Sequence, residues 1–353
     1  MFGLNRKNKP LLGVDISSTS IKLLELSESG GNYRIESYAV EPLPADAVLE
    51  KNIQDIEAVS NAIKTAYKKS GSKAKQAAVA VAGSAAITKT ITMPATLSES
   101  EIEEQIQIEA DQYIPYPLEE INLDFEMLGI SEGNEETQDI LLAASKSEHV
   151  DARVDATERA GLTSMIVDIE PYAIEHTIQT MSHQLIDHGK EKTIAVFDIG
   201  ASMTCLNVIH DMELIYTREQ NFGGKQLTEE IMRRYGLSYE DAGKAKREGG
   251  LPSGYQTEVL DPFKTTLARQ VSRFLQFFFS ASAFSHIDQI VLSGGCACIG
   301  GIDSFIESHT GTPTLIATPF ASMKIKDKSL APKITSDAPA LMIACGLALR
   351  SFD

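Results

Sequence analysis

Three things are scarce in this chain of 353 residues: cysteine, positive charge and uninterrupted apolar sequence. The four cysteines, Cys205, Cys296, Cys298 and Cys345, are too few and too irregularly spaced for a disulfide framework, and the single C-x-C lacks the second ligand pair of a zinc site. They read as reduced core thiols. None of the seven histidines falls in a metal-ligand spacing such as H-E-x-x-H. With 32 Lys and Arg against 49 Asp and Glu, the formal charge is −17, a field that repels phosphate backbones and anionic lipid, so nucleic acid is not expected as a partner. No run of about 18 uncharged apolar residues occurs. The most apolar helical stretch, Phe274 to Phe284, is broken upstream by Lys264, Arg269 and Arg273. The first residues carry Arg6, Lys7 and Lys9 but lead into a strand-like segment instead of an apolar signal core. A cytoplasmic protein without direct membrane insertion is therefore expected, with any membrane association supplied by a partner.

What is present is an ordinary globular composition, 43% hydrophobic and 23% charged, at a length that suggests two lobes and an insertion. Leu11 to Asp15 reads as a buried strand, Ser17 to Ser20 as a hydroxyl-rich turn, Ile21 to Leu26 and Tyr33 to Val40 as the next strands of a meander. A helix is expected near Asp55 to Lys69, then a small-residue strand, Ala78 to Ala82. The same grammar returns in strands Thr193 to Phe197, Thr204 to Ile209 and Leu214 to Glu219, a helix near Gln226 to Tyr235, a strand Gln289 to Leu292 and a helix Ile302 to His309. Asp15-Ile-Ser-Ser-Thr lies on Asp198-Ile-Gly-Ala-Ser without a gap, so the halves read as copies of one unit.

Between the copies, about Ala95 to Pro171, the pattern changes to an α+β insert. Ser98 and Glu101 form a capping box ahead of a helix with Ile102, Ile106, Ala110 and Tyr113 on one face, stopped by Pro115 and Pro117. Strands Ile121 to Leu128 and Asp139 to Ala144 flank a polar loop, Ser131 to Thr137; a helix Ser147 to Ala160 and a strand Thr163 to Val167 follow. The acidic run Glu99 to Asp111 reads as a solvated helical face. Later, Lys244 to Gly254 reads as a loop before a long helix, Leu260 to Ala283, whose Leu267, Val271, Phe274, Leu275 and Phe278 make an apolar stripe. An alanine-rich helix, Ala338 to Leu349, closes the chain.

Turns that present backbone N–H groups to a phosphate need small residues and benefit from hydroxyls. Ser17-Ser18-Thr19-Ser20 and Gly200-Ala201-Ser202-Met203 meet that need, and each follows an aspartate that could hold Mg²⁺ through water. One such hairpin alone is an ordinary surface turn; two in a duplicated frame point to a nucleotide clamped between them. A third element, Ser293-Gly294-Gly295-Cys296-Ala297-Cys298-Ile299-Gly300-Gly301, joins a strand to a helix with backbone that can lie against a nucleoside.

These three motifs, in this order, are similar to the two phosphate motifs and the adenosine motif of the actin/Hsp70/hexokinase ATPase superfamily. The insert resembles the FtsA branch. Tyr113-Ile-Pro-Tyr-Pro-Leu-Glu-Glu and the closing Ser336-Asp-Ala-Pro-Ala-Leu-Met-Ile-Ala-Cys-Gly-Leu-Ala-Leu-Arg resemble the PilM family of type IV pilus assembly proteins. The resemblance implies an α/β fold of duplicated actin-like, ribonuclease H-like domains around a nucleotide cleft, with an FtsA-type insert. The divisions expected are a first lobe, 1–94, completed by 338–353; an insert, 95–171; and a second lobe, 172–337.

The same resemblance implies ATP or ADP with Mg²⁺ near Asp15 and Asp198. Phosphate contacts would come from Ser17, Ser18, Thr19, Gly200, Ala201, Ser202 and Met203, with Lys22 a further candidate. Nucleoside contacts would come from Gly294 and Gly295. Asn221-Phe-Gly-Gly-Lys is similar to a helix start of the FtsA branch and brings in Gly223, Gly224, Lys225 and Glu230. Two positions depart from the pattern. Ser17 stands where the superfamily usually has glycine, and Ala242-Gly243-Lys244-Ala245-Lys246 replaces A-E-x-x-K, leaving Lys246 as the remaining contact. No residue is assigned as catalytic, so hydrolysis is expected to be slow or absent. The implied partner is the N-terminal cytoplasmic peptide of the membrane protein PilN, received between insert and first lobe and drawing the protein to the inner membrane. Other pilus assembly proteins are implied too, and homo-oligomerisation is left open. A small-molecule kinase or phosphatase and a filament-forming protein are the alternatives on the same fold.

Overall fold

A computed structural model describes residues 10–353; Arg6, Lys7 and Lys9 lie outside the described residues. The chain opens with β1 (Leu11–Ile16), β2 (Ser20–Ser29) and β3 (Asn32–Pro42), then a small hairpin of β4 (Val48–Leu49) and β5 (Asn52–Ile53). Helix α1 (Ile56–Ser70) follows because Asp55 takes the Ala58 N–H at its start and Gly71, at φ 67°, ends it. Strand β6 (Gln76–Val81) then runs parallel to β1. Next come β7 (Ala86–Pro94), α2 (Glu99–Tyr113), β8 (Ile121–Ser131), β9 (Asn134–Lys146), α3 (Ser147–Arg159), β10 (Thr163–Ile169) and α4 (Glu170–Thr180).

The second unit comprises β11 (Thr193–Ile199), β12 (Thr204–His210), β13 (Glu213–Gln220), α5 (Gly224–Tyr235), α6 (Tyr239–Glu248), α7 (Asp261–Ala281), β14 (Gln289–Ser293), α8 (Ile302–Thr310) and β15 (Thr314–Ile316). Then β16 (Lys324–Ile325), α9 (Ala331–Asp337) and α10 (Met342–Leu349) complete the chain.

The duplication is visible in strand order. The first sheet runs β10-β6-β1-β2-β3-β16 and the second β15-β14-β11-β12-β13. Each is an antiparallel meander with two further strands added parallel on the side of its first strand. Strand β10 therefore occupies in the first sheet the place that β15 occupies in the second. This moves one boundary. Residues 147–169 were expected to belong to the insert, yet β10 pairs with β6, and Ala156, Ala160 and Leu162 are buried with Val59, Ile63 and Val79 of the first lobe. A short helix and strand that read as part of a separate unit find their apolar partners in the lobe they complete.

What stands apart is the sheet β7-β9-β8 with α2 against one face. Its small core is Ile91, Met93, Ile102, Ile106, Ile140 and Leu142. The Glu101 carboxylate takes the Ser98 N–H at 2.8 Å, the expected capping box. The polar loop expected over 131–137 is tighter, since β8 and β9 pair from Ser131↔Asn134 onward. Likewise 244–248 are not loop but the last turns of α6, which Ser238 starts by accepting the Asp241 N–H.

Between the two main sheets lie α4 and α10, in a cluster where Leu11 and Ala80 of the first sheet meet Val196 and Val291 of the second. Glycine makes this layer possible. A Cβ on Gly346 would lie 1.7 Å from the Ala173 carbonyl oxygen, and one on Gly13 would lie 2.2 Å from that of Ala344. At the solvent-facing edge of α4, Glu175 accepts the Leu214 N–H at 2.6 Å. Burial still pushes its carboxyl up to about 7, with Glu213 adding to the shift against that hydrogen bond.

A carboxyl raised in the fold contributes stability below its unfolded value that is lost as pH rises from about 5 through 7. Glu175→Gln keeps the acceptor without the charge. It is expected to raise stability by about 1–2 kcal/mol at pH 8 and by little at pH 5, measured by thermal unfolding at both values. An equal effect at the two pH values would rule the ionisation out as the cause.

Candidate functional site

The two hairpins meet across the cleft. In the first, strand register places Lys22 directly opposite Asp15, and its ammonium lies 2.7 Å from Asp15 Oδ2 and 2.8 Å from Ser17 Oγ. Ser17 donates to Asp15 Oδ1 at 3.0 Å. Asp15 is 3% exposed, and a carboxylate so buried is stable only with such partners. In the second hairpin the residue opposite Asp198 is Cys205, and Asp198 accepts from Ser293 through Oδ1 at 3.1 Å. Its other oxygen has no partner among the described residues. The tips touch where Ser202 Oγ donates to Ser18 Oγ at 2.9 Å. The N–H groups of Ser18, Thr19, Ala201, Ser202 and Met203 have no acceptor within the described residues, as a phosphate cradle requires.

The start of α5 packs beneath the second hairpin. Gly224 N–H donates to Gly200 O at 3.0 Å and Lys225 N–H to Ala201 O at 2.7 Å, and a Cβ on Gly223 would lie 2.5 Å from Ala201 O. The Gly-Gly pair is thus explained by close approach of two backbones. Lys246 donates to Gly224 O at 3.1 Å and Thr228 Oγ1 at 2.8 Å, stapling α6 to α5, and burial lowers its pKa. Glu230 pairs with Arg233 on the exposed side of α5. In the third motif, Gly294 has φ 81°, and a Cβ there would lie 2.5 Å from Ile199 O, whereas a Cβ on Gly295 would meet nothing within 4 Å. One glycine packs against the end of β11 and its neighbour faces open space.

Under the hairpins lies a charged floor that no sequence motif announced. Glu170, the first residue of α4, is 4% exposed and receives the Lys51 ammonium at 2.6 Å. Burial opposes the charge on Lys51, but the Glu170 carboxylate more than offsets it and holds the ammonium well above its ordinary range. Lys51 reaches this position from a turn with φ 68°, and its carbonyl is pinned by Arg153 Nη2 at 2.8 Å. Beside it, Glu170, Cys205 and Glu219 bring ligand atoms within 4.8 Å of one another. Burial pushes the Cys205 thiol well up, so it sits as a neutral thiol.

Glu219 belongs to the second unit and accepts from Ser84 N–H at 3.3 Å and Ser84 Oγ at 2.6 Å in the first. Ser84 lies in the 3-10 turn Gly83–Ala85 immediately ahead of β7, at the root of the three-stranded sheet. One signal was available for Glu170: the acid-proline pair Glu170-Pro171 follows a strand and starts a helix, the same strand-to-helix position as the motif at Gly294. Lys51, Arg153 and Glu219 carry none, because their role comes from distant partners.

A second feature sits in the turn between α2 and β8. Ile114, Pro115, Tyr116, Pro117, Leu118 and Glu119 line a hollow of about 610 Å³, and the Lys146 ammonium lies 4.9 Å from the Tyr116 ring centroid. Among the described residues no helix is long and apolar enough to cross a membrane.

The family described as type IV pilus assembly protein PilM matches residues 13–352. Among solved structures, a chain of a "PilM-PilN type IV pilus biogenesis complex" is similar with TM-score 0.80 and 25% identity, covering 97% of this chain and 98% of that one. The ethanolamine utilization protein EutJ from Carboxydothermus hydrogenoformans is similar in fold, with TM-score 0.58, 15% identity and coverage of 96% and 89%. The cell division protein FtsA of Enterococcus faecalis is 28% identical over 163 residues, 42% of this chain and 36% of that protein, so the match spans about a third of that relative's length.

Proposed function

The chain belongs to the PilM family of type IV pilus assembly proteins, and on that premise we propose that it is a nucleotide-responsive adaptor that receives a PilN segment. The observation that carries this is the likeness along almost the whole chain to the PilM-PilN complex. The hollow lined by Ile114 to Glu119, in the turn between α2 and β8, is the place we assign to the PilN peptide. Such a partner would bring the protein to the cytoplasmic face of the inner membrane.

The cleft suits a nucleoside triphosphate with Mg²⁺. The free amides of Ser18, Thr19, Ala201 and Ser202 suit its phosphates, Gly295 has open space for the nucleoside, and the free oxygen of Asp198 suits a magnesium-bound water. Asp15 has both oxygens engaged by Ser17 and Lys22, so its part in holding the metal requires Lys22 to turn toward the phosphates. The bound metal would neutralise phosphate charge. The chain's own part is to hold the hairpins at the separation the phosphates set.

Changes in that separation have a route to the peptide site. Glu219 grips Ser84, and Asn221 Nδ2 donates to Glu50 Oε1 at 3.0 Å, so the segment entering α5 is tied to the first lobe at two points. The Ser84 contact lies at the root of the three-stranded sheet. Coupling of this kind is worth about 1–3 kcal/mol, roughly 5- to 150-fold in affinity.

A synthetic peptide matching the partner's cytoplasmic N-terminus should bind one-to-one in a calorimeter, with an affinity that Mg-ATP changes within that range. Ser84→Ala should keep both ligands and remove the difference. Failure of the peptide to bind under either condition sinks the adaptor reading; binding with unchanged affinity sinks the coupling alone.

A further inference from the structure

The three-stranded sheet and its helix, residues 86–146, hold fourteen Asp and Glu against two Lys, a net −12 of the chain's −17. The same stretch carries six of the ten large hydrophobic side chains exposed among the described residues: Tyr116 and Leu118 belong to the hollow assigned to the peptide, Ile108 lies on α2, and Met127, Leu128 and Ile130 lie on β8. Concentrated negative charge beside exposed apolar surface calls for a partner that answers both.

The free edge of β8 shows its form. In the order β7-β9-β8 no strand pairs with the outer side of β8 among the described residues. Its Phe125 N–H donates instead to the carboxylate of the adjacent Asp124 at 2.9 Å, as an edge amide does when it lacks a strand partner. Over the regular stretch before the bulge at Met127 and Gly129, the two faces differ sharply. Leu123 and Phe125 lie half-buried against the small core, whereas Asp124 and Glu126 stand exposed on the opposite face.

We propose that this edge is a docking surface for an extended segment of a partner protein that alternates basic and apolar residues and adds as a fourth strand. Its apolar side would extend the cover over Leu123 and Phe125, and its basic side would sit opposite Asp124 and Glu126. Opposite charges directly across a ladder stabilise and like charges destabilise, so a second copy of this edge is excluded as the occupant. The surface is separate from the peptide hollow of the preceding reading and does not depend on it.

The probe is a capped decapeptide alternating lysine and valine, titrated into the full chain. Two controls accompany it: one alternating glutamate and valine, and one with the same lysines spaced by serine. The lysine-valine peptide should bind one-to-one, slow hydrogen exchange at the Phe125 and Met127 amides, and bind at least about tenfold more weakly to Asp124→Lys/Glu126→Lys. Both replaced residues are exposed, so the variant should fold, which its unchanged unfolding temperature would verify. Equal binding of the serine-spaced peptide would show diffuse charge attraction and overturn the proposal. So would protection elsewhere, wild-type affinity in the double variant, or displacement of the probe by the PilN-derived peptide.

Discussion

Arg153→Met is expected to cost about 3–5 kcal/mol of stability, a large share of the roughly 5–15 kcal/mol that separates a typical domain from its unfolded chain. The guanidinium is 2% exposed and donates to three backbone carbonyls: Ala80 at 2.5 Å, His149 at 2.9 Å and Lys51 at 2.8 Å. Methionine keeps most of the volume but withdraws the guanidinium from the Ala80 and Lys51 oxygens, while His149 O keeps the α3 backbone bond from the Arg153 N–H; an orphaned buried acceptor costs about 1–3 kcal/mol. Removing a charge whose burial is itself costly offsets part of that sum. The consequence reaches the cleft, because the Lys51 carbonyl is one of the three acceptors and the Lys51 ammonium neutralises Glu170. Urea unfolding measures the loss, and a change below about 1 kcal/mol would mean that water or a rearranged turn takes over the carbonyls.

Gly294→Ala is expected to weaken nucleotide binding by about a hundredfold, equivalent to roughly 2.7 kcal/mol. Two costs add at this position. The backbone sits at φ 81° and ψ 174°, a region used essentially by glycine alone that costs another residue about 1–3 kcal/mol, and the new Cβ would lie 2.5 Å from Ile199 O and 2.7 Å from Ile199 N. The turn must move away from the end of β11, carrying Gly295 and the following 3-10 turn out of line with the hairpins. Gly295→Ala is the informative companion, since its Cβ meets nothing within 4 Å and the fold should not notice it. Equilibrium binding of a fluorescent ATP analogue to both variants decides the matter. Retained affinity in Gly294→Ala would place the nucleoside elsewhere, while loss in Gly295→Ala with an unchanged fold would show that the ligand lies against that glycine.

Much of the fold was legible because it was stated twice. Asp15 and Asp198 both end a buried strand, and the turns after them are built from small residues, so the two meanders could be found by laying one on the other. The capping box at Ser98 and the apolar stripe of α7 were legible for a local reason: spacing along one helix carries the whole signal. The place of α3 and β10 was not, because a seven-residue strand carries no mark of which sheet will pair with it. Register with β6 and burial of Ala156 and Leu162 in the first lobe assign them. The end of α6 was misjudged as loop because Lys244, Arg247 and the glycines beyond them look like a linker, whereas its start at Ser238 decides the helix.

The duplicated frame, the two hydroxyl-rich hairpins, the glycine turn at Gly294 and the pilus-family resemblance are all patterns of neighbouring residues, dictated by local backbone chemistry and readable along the chain. It took the folded chain to bring the hairpins together through Ser18 and Ser202, Lys51 to Glu170 across 119 positions, and Glu219 to Ser84 at the root of the three-stranded sheet, and to leave β8 with a free edge among the described residues. Those are meetings between residues far apart in the chain. Their energy depends on burial and on which groups desolvate together, and neither is set until the two sheets close on the layer of α4 and α10.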